Sequence, residues 1–275
     1  MLTNDPARLR FLRRAADRPR RRFRRGVYLL PSLFTLGNMF CGWACVVYAT
    51  RNEYETAAPF IGFAIVLDML DGRVARLTGT ASDFGVEFDS LADVISFGIA
   101  PAILSFAWGL SPLGRLGWAA GFMFVTAAAM RLARFNIQAA GGDKRYFVGL
   151  PSPAAAAVPA ATVFAYPLGL YDYQSALPAL AMVLVPALLM VSTIRFRSFK
   201  QIDLRVRRPY TVLLLIAAAI VLIATHPRFV LVALAYTYLA SGFVGMAITR
   251  IRHRGGRDVP SAGDAQDGTR DTAAG

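Results

Sequence analysis

Long apolar stretches separated by clusters of arginine constrain this chain more than any other feature. A bilayer core needs roughly 20 apolar residues for each spanning helix. On that basis the sequence predicts eight spans, at 32–50, 57–78, 84–108, 114–137, 152–171, 177–194, 210–225 and 229–249. A hydrophobic content of 56% and a mean hydropathy of +0.46 exclude a soluble enzyme, a disordered protein and a disulfide-stapled domain. The sequence therefore predicts an all-α polytopic membrane protein.

The distribution of basic residues predicts the orientation of these spans. The first 26 residues contain ten arginines, and further clusters follow every second span. Because cytoplasmic loops carry an excess of Lys and Arg, we expect both termini at the cytoplasmic side of the cell membrane. The net charge of +13 does not indicate a nucleic-acid partner, since the arginines flank apolar spans. Anionic membrane lipids are the expected partners of these clusters.

Four aspartates lie within the second and third predicted spans. Asp68 and Asp71 are spaced i, i+3, and Asp89 and Asp93 are spaced i, i+4, so each pair shares a helix face. A break at residues 78–82 lets the two helices run antiparallel. The sequence therefore predicts that the two acidic faces meet near a membrane surface.

Converging carboxylates repel one another at low dielectric and need a positive charge between them. Oxygen ligands with no nearby histidine favour Mg²⁺ or Mn²⁺, as one ion or a pair, over zinc. A structural ion-pair network and a cation path in a transporter are the alternatives. A transport path would spread its acids over several depths, whereas these acids are clustered and the last four spans are nearly free of them.

Small residues adjoin the acidic faces. Gly72 and Ala75 would leave a shallow notch beside the first pair, and Gly85 would do the same beside the second. Arg76 is placed to meet a phosphate. Plain helix–helix packing is the alternative use of such small residues in a membrane.

Together these residues form a pattern that resembles the signature of the CDP-alcohol phosphotransferases. The pattern is Asp68-x-x-Asp71-Gly72-x-x-Ala75-Arg76, then eight residues, then Gly85-x-x-x-Asp89-x-x-x-Asp93. The resemblance implies a homodimeric integral membrane enzyme with a six-helix core, here followed by two more helices. Such enzymes transfer a phosphatidyl group from a CDP-linked lipid to an alcohol and release CMP.

The same resemblance implies roles for individual residues. Asp68, Asp71 and Asp89 would bind a pair of divalent metals, and Asp93 would be a further ligand or the general base. The implied nucleotide and CDP-lipid site consists of Pro31, Thr35, Asn38, Gly72, Ala75, Arg76, Ser82 and Gly85.

Flanking segments resemble the phosphatidylserine synthase branch of the family over roughly residues 28–195. They are Leu30–Gly42, Asp89–Gly98, Arg131–Asn136 and Gly149–Pro153. Ser32 departs from this pattern, since the branch usually has Asn there. The implied substrates are CDP-diacylglycerol and L-serine. Glycerol-3-phosphate or inositol phosphate as acceptor is the alternative within the family.

A serine acceptor carries a carboxylate, so its site needs a cation. Arg131 and Arg134, with Asn136 beside them, are the candidates at the end of the fourth span. Their alternative role is the ordinary excess of positive charge at the cytoplasmic side.

The resemblance and the composition divide the chain into five parts. These are a basic N-terminal segment (1–26), the catalytic core (27–195), a basic loop (196–208), two additional spans (209–250) and a disordered tail (251–275).

Overall fold

The protein is built from helices that alternate in direction between two ends of a bundle. The computed structural model describes residues 29–78, 82–140, 149–192 and 226–255, with scattered positions between 214 and 225. In this part of the chain seven helices are described over their whole length, and there is no strand. They are α1 (Leu29–Thr50), α2 (Tyr54–Thr78), α3 (Asp83–Leu113), α4 (Arg115–Ala140), α5 (Ser152–Ala165), α6 (Tyr173–Val191) and α7 (Pro227–Gly255). The predicted all-α class is confirmed.

Four stretches among the described residues are long and apolar enough to cross a bilayer. They are Ser32–Thr50, Asp83–Leu113, Arg115–Gln138 and Tyr173–Val191. α5 is apolar but has only 14 residues, and α2 carries the charged residues of the acidic signature. The chain is thus a polytopic membrane protein. The number of eight spans stays a prediction, because the span at 210–225 lies largely outside the described residues.

Some helix ends differ from the predicted spans. The fifth span was expected to reach residue 171, but α5 ends at Ala165. Pro167 explains this end, because a residue that precedes proline is disfavoured in the helical conformation. The last span was expected to end at residue 249, but α7 continues to Gly255. The N-terminal segment 1–26, the loop 196–208 and the rest of the tail lie outside the described residues.

α3 is a continuous helix whose winding changes along its length. The side chain of Ser82 caps its start by accepting a hydrogen bond from the backbone N–H of Gly85. A regular helix runs to Asp93, and a wider π turn follows over Val94–Ile99. Pro101 favours the wider turn, because it has no N–H to donate to the carbonyl four residues earlier. The change of winding begins at Val94, directly after Asp93.

One end of the bundle, called the site end here, gathers the functional candidates. The hydroxyl of Thr35 near the start of α1 donates to Asp71 near the end of α2. Arg131 near the end of α4 donates to Ser152 at the start of α5. The loops predicted to be cytoplasmic connect the helices at this end. Their side of the membrane stays a prediction.

Backbone and aromatic groups tie the opposite end together. The hydroxyl of Tyr54 donates to the carbonyl oxygen of Ala107 at 2.7 Å. The indole N–H of Trp108 donates to the carbonyl oxygen of Tyr166 at 2.8 Å. The N–H of Leu170 donates to the carbonyl oxygen of Trp108 at 2.7 Å. These bonds fix α2, α3 and the segment after α5 relative to one another, away from the site end.

α1 and α3 approach each other closely where α3 changes its winding. The hydroxyl of Ser96 in the π turn donates to the carbonyl oxygen of Asn38 at 2.8 Å. One turn further along α1, a Cβ atom added to Gly42 would lie 2.6 Å from Ser96 Oγ and 2.8 Å from Ser96 Cα. Only glycine fits at this contact, and its absence of a side chain sets the distance between the two helices.

We predict that Gly42→Ala destabilises the protein. The added methyl group must displace the backbone of Ser96, and overpacking of this kind costs about 1–3 kcal/mol. The measurement is the Tm of the purified protein in detergent. Gly62→Ala is the matched control, because a Cβ at Gly62 would meet nothing within 4 Å and alanine favours the helix. Equal Tm values for the two variants would contradict the close contact.

Candidate active site

Three carboxylates converge at the site end. Asp68 on α2 and Asp89 and Asp93 on α3 each offer an oxygen atom, and these atoms lie within 4.8 Å of one another. The i, i+4 spacing places Asp89 and Asp93 on one face of α3. The predicted meeting of the acidic faces of the two helices is therefore found for these three residues.

Asp71, the fourth aspartate, lies about one turn from Asp68 on α2 and forms a hydrogen bond with α1. It is only 5% exposed, and one of its carboxylate oxygens accepts a hydrogen bond from the hydroxyl of Thr35 on α1. It is not among the three residues of the cluster. Its role as a metal ligand stays a prediction.

Asn38 on α1 forms a hydrogen bond with Asp93, one of the three clustered carboxylates. Its side chain is fully buried, and its amide Nδ2 donates to Asp93 Oδ1 at 3.1 Å. Thr35 and Asn38, spaced i, i+3, thus place two donors of α1 against two aspartates. The nucleotide contacts that the family resemblance implies for these residues and for Pro31 stay predictions.

The donor set fits a hard divalent cation. The three clustered carboxylates offer only oxygen ligands, which Mg²⁺ and Mn²⁺ prefer. Asp89 Oδ1 is buried and has no hydrogen-bond partner among the described residues. A buried carboxylate oxygen without a partner is costly, so this atom is suited to a metal ion.

The small residues of the signature leave open space at the surface of α2. Gly72 is exposed, and a Cβ there would approach only Arg76, at 3.9 Å. The Nε of Arg76 donates to the carbonyl oxygen of Gly72 at 2.6 Å, so its side chain lies back along its own helix. Ala75 is half-buried next to it. The predicted contacts of these residues and of Ser82 and Gly85 with the nucleotide are not tested by this arrangement.

The polar residues at the end of α4 have different contacts with the site. Arg131 is near enough to Asp68 and Asp93 for its charge to interact with both carboxylates. The side chain of Asn136 donates to Ser90 Oγ at 3.0 Å and so joins α4 to α3 beside Asp89. Arg134 is half-buried on the same helix.

The structure adds residues that the sequence reasoning missed. Ser96 bonds to Asn38, Ser90 bonds to Asn136, and Ser152 accepts a hydrogen bond from Arg131. Tyr238 on α7 lies within electrostatic range of Arg131. The sequence could have indicated Ser152, because it belongs to the Gly149–Pro153 segment that resembles the family. Nothing in the sequence indicates Tyr238, since its position depends on the packing of α7.

Comparison with known proteins identifies the family of this chain. Residues 28–191 match the family model described as CDP-alcohol phosphatidyltransferase. A CDP-diacylglycerol–serine O-phosphatidyltransferase of Helicobacter pylori is 40% identical over 177 residues, which cover 64% of this chain and 75% of the relative. The enzyme of the same name from Mycobacterium leprae is 39% identical over 145 residues, covering 51% of this chain and 48% of the relative.

A relative from an archaeon extends the comparison. The archaetidylserine synthase of Methanothermobacter thermautotrophicus is 34% identical over 169 residues, which cover 61% of this chain and 69% of the relative. The family match includes α1 to α6 and all four aspartates, whereas α7 lies beyond it. The chain therefore belongs to the CDP-alcohol phosphatidyltransferase family and is a transferase.

Proposed function

We propose that this protein transfers the phosphatidyl group of CDP-diacylglycerol to the hydroxyl of L-serine and releases CMP. The observation that carries the proposal is the convergence of Asp68, Asp89 and Asp93 in a chain of this family. Serine as acceptor is supported by the relatives, because the names of the bacterial and archaeal proteins share serine and differ in the lipid.

Metal dependence is part of the proposal. Asp68, Asp71 and Asp89 would hold Mg²⁺ or Mn²⁺, in a pair of ions, with Asp93 as a further ligand or as the base. When bound, such ions neutralise a diphosphate and stabilise the charge that develops on the leaving CMP. The buried Asp89 Oδ1 without a partner supports a ligand role for that residue.

Asp93 is the proposed general base. Its Oδ1 accepts the hydrogen bond from Asn38, which leaves Oδ2 to take the proton of the serine hydroxyl. The serine oxygen forms a bond to the phosphorus that carries the diacylglycerol. The bond from that phosphorus to the bridging oxygen breaks, and CMP leaves with this oxygen. Asp93 is only 8% exposed, which would limit the access of bulk water as a competing nucleophile.

Binding of the two substrates is assigned to opposite flanks of the carboxylates. The open surface at Gly72 and Ala75, with Arg76, Ser82 and Gly85, would take the cytidine and diphosphate. Contacts from Pro31, Thr35 and Asn38 would complete this site. On the α4 side, Arg131, Arg134 and Asn136 would bind the serine carboxylate.

The membrane context is proposed from charge and from family resemblance. The arginine clusters would place the site end at the cytoplasmic face of the cell membrane and contact anionic lipid headgroups. Acyl chains of the donor would lie between helices in the bilayer. A homodimer is the expected assembly.

We predict that the purified protein releases CMP from CDP-diacylglycerol only when serine is added. The measurement is CMP release in detergent with Mn²⁺, with serine, glycerol-3-phosphate or inositol phosphate supplied singly. Release with a different acceptor would overturn serine while retaining the family chemistry. Absence of release with every acceptor, from folded protein, would overturn the proposed reaction.

Asp93→Asn is predicted to lower kcat by about 10²- to 10⁴-fold, the usual contribution of a general base. Binding of CMP, measured by calorimetry, should change little, because the amide keeps the shape of the side chain. Asp83→Asn serves as the matched control, since Asp83 is an exposed aspartate on the same helix. A variant at Asp93 that retains the kcat of the wild type would remove Asp93 from the mechanism.

Chelation of divalent ions with EDTA is predicted to abolish CMP release, and Mg²⁺ or Mn²⁺ should restore it. Asp89→Asn should weaken Mn²⁺ binding, measured from the electron paramagnetic resonance of free Mn²⁺, because a neutral amide replaces an anionic carboxylate ligand. Asp83→Asn should leave binding unchanged. Full turnover in excess EDTA would contradict metal dependence.

A further inference from the structure

The hydrogen bond between Arg131 and Ser152 links the proposed acceptor site to a segment without an assigned role. Nη1 of Arg131 donates to Ser152 Oγ at 2.7 Å. Ser152 is fully buried, so solvent does not compete for its hydroxyl. It belongs to Gly149–Pro153, which connects the loop after α4 to the start of α5.

The path of this segment is fixed by α6. The N–H of Leu150 donates to the carbonyl oxygen of Leu189 at 3.0 Å, and the Leu150 side chain is fully buried. Gly149 has φ +90°, and a Cβ there would lie 2.4 Å from the carbonyl oxygen of Met190. A side chain at this position is excluded both by the backbone conformation and by the contact. Ser152 therefore stands at a defined place relative to the bundle.

Arg131 requires such a fixed partner because of its neighbours. Its guanidinium interacts with the carboxylates of Asp68 and Asp93, and a flexible arginine would be drawn onto them. A direct ion pair with Asp93 would occupy both the proposed base and the cation that the acceptor needs. A guanidinium has five N–H donors, so a bond to Ser152 leaves the others available.

We propose that Ser152 is a positioning residue that holds Arg131 for the carboxylate of the acceptor and keeps it from pairing with Asp93. This inference rests on the proposed function, because it assumes that the acceptor carries a carboxylate. It gives the Gly149–Pro153 segment a role in acceptor selection without contact to the reacting atoms.

Ser152→Ala tests this role by separating the two substrates. We expect KM for serine to rise about tenfold, as befits loss of a hydrogen bond to a charged group. KM for CDP-diacylglycerol and CMP binding should remain as in the wild type. Ser105→Ala is the matched control, since Ser105 is also fully buried but its hydroxyl bonds to Pro101 of its own helix. Ser152→Cys, which has a weaker acceptor and similar volume, provides the same comparison if the alanine variant does not fold.

A double-mutant cycle distinguishes positioning from packing. In an Arg131→Ala background, Ser152→Ala should not raise KM for serine further. Ser152 is proposed to act on the acceptor only through Arg131, which this background lacks. Multiplying effects on KM would overturn the proposal, as would an unchanged KM in the single variant. Ser152→Thr, which retains the hydroxyl, should restore KM close to that of the wild type.

Failure of this inference differs from failure of the proposed function. If the wild type uses serine and Ser152→Ala has an unchanged KM for serine, only the positioning role is overturned. If the wild type releases no CMP with serine, the proposed function is overturned, and the positioning role with it.

Discussion

Asp68, Asp89 and Asp93 bring like charges together in a poorly hydrated space, and their repulsion must be offset for the bundle to hold them. Neighbouring polar and charged groups offset part of this repulsion. Asn38 donates to Asp93, and Arg131 supplies a nearby positive charge. The buried oxygen of Asp89 remains without such a partner among the described residues. This imbalance makes the site suited to a cation.

The groups that orient the carboxylates come from helices far apart in the sequence. α1 reaches the acidic faces with Thr35 and Asn38, and its close contact at Gly42 sets how near it lies to α3. α4 and α5 approach from the other side through Arg131 and Ser152. The positions of these groups thus depend on the distances between helices, and small residues permit the helices to approach closely.

The sequence predicted the helical class and the meeting of the aspartates, because hydrophobic length and i, i+4 spacing are local properties. It also predicted Arg131 and Asn136 as acceptor-binding residues, and that role stays a prediction. It missed the role of Ser152, because the partner of a buried hydroxyl is decided by tertiary packing. The winding change after Asp93 and the early end of α5 were missed for another reason. Both depend on how proline alters local hydrogen bonding, which hydrophobicity does not register.

The length of α3 has a consequence for how a lipid meets the site. Its 31 residues exceed by about 11 the roughly 20 residues that cross a hydrocarbon core. With the Leu113 end at the far boundary, this excess corresponds to the stretch Asp83–Asp93. The carboxylates then lie at the depth of the phospholipid headgroups. At that depth the proposed lipid donor would present its diphosphate while its tails stay in the bilayer, and the proposed polar acceptor would arrive without crossing hydrocarbon.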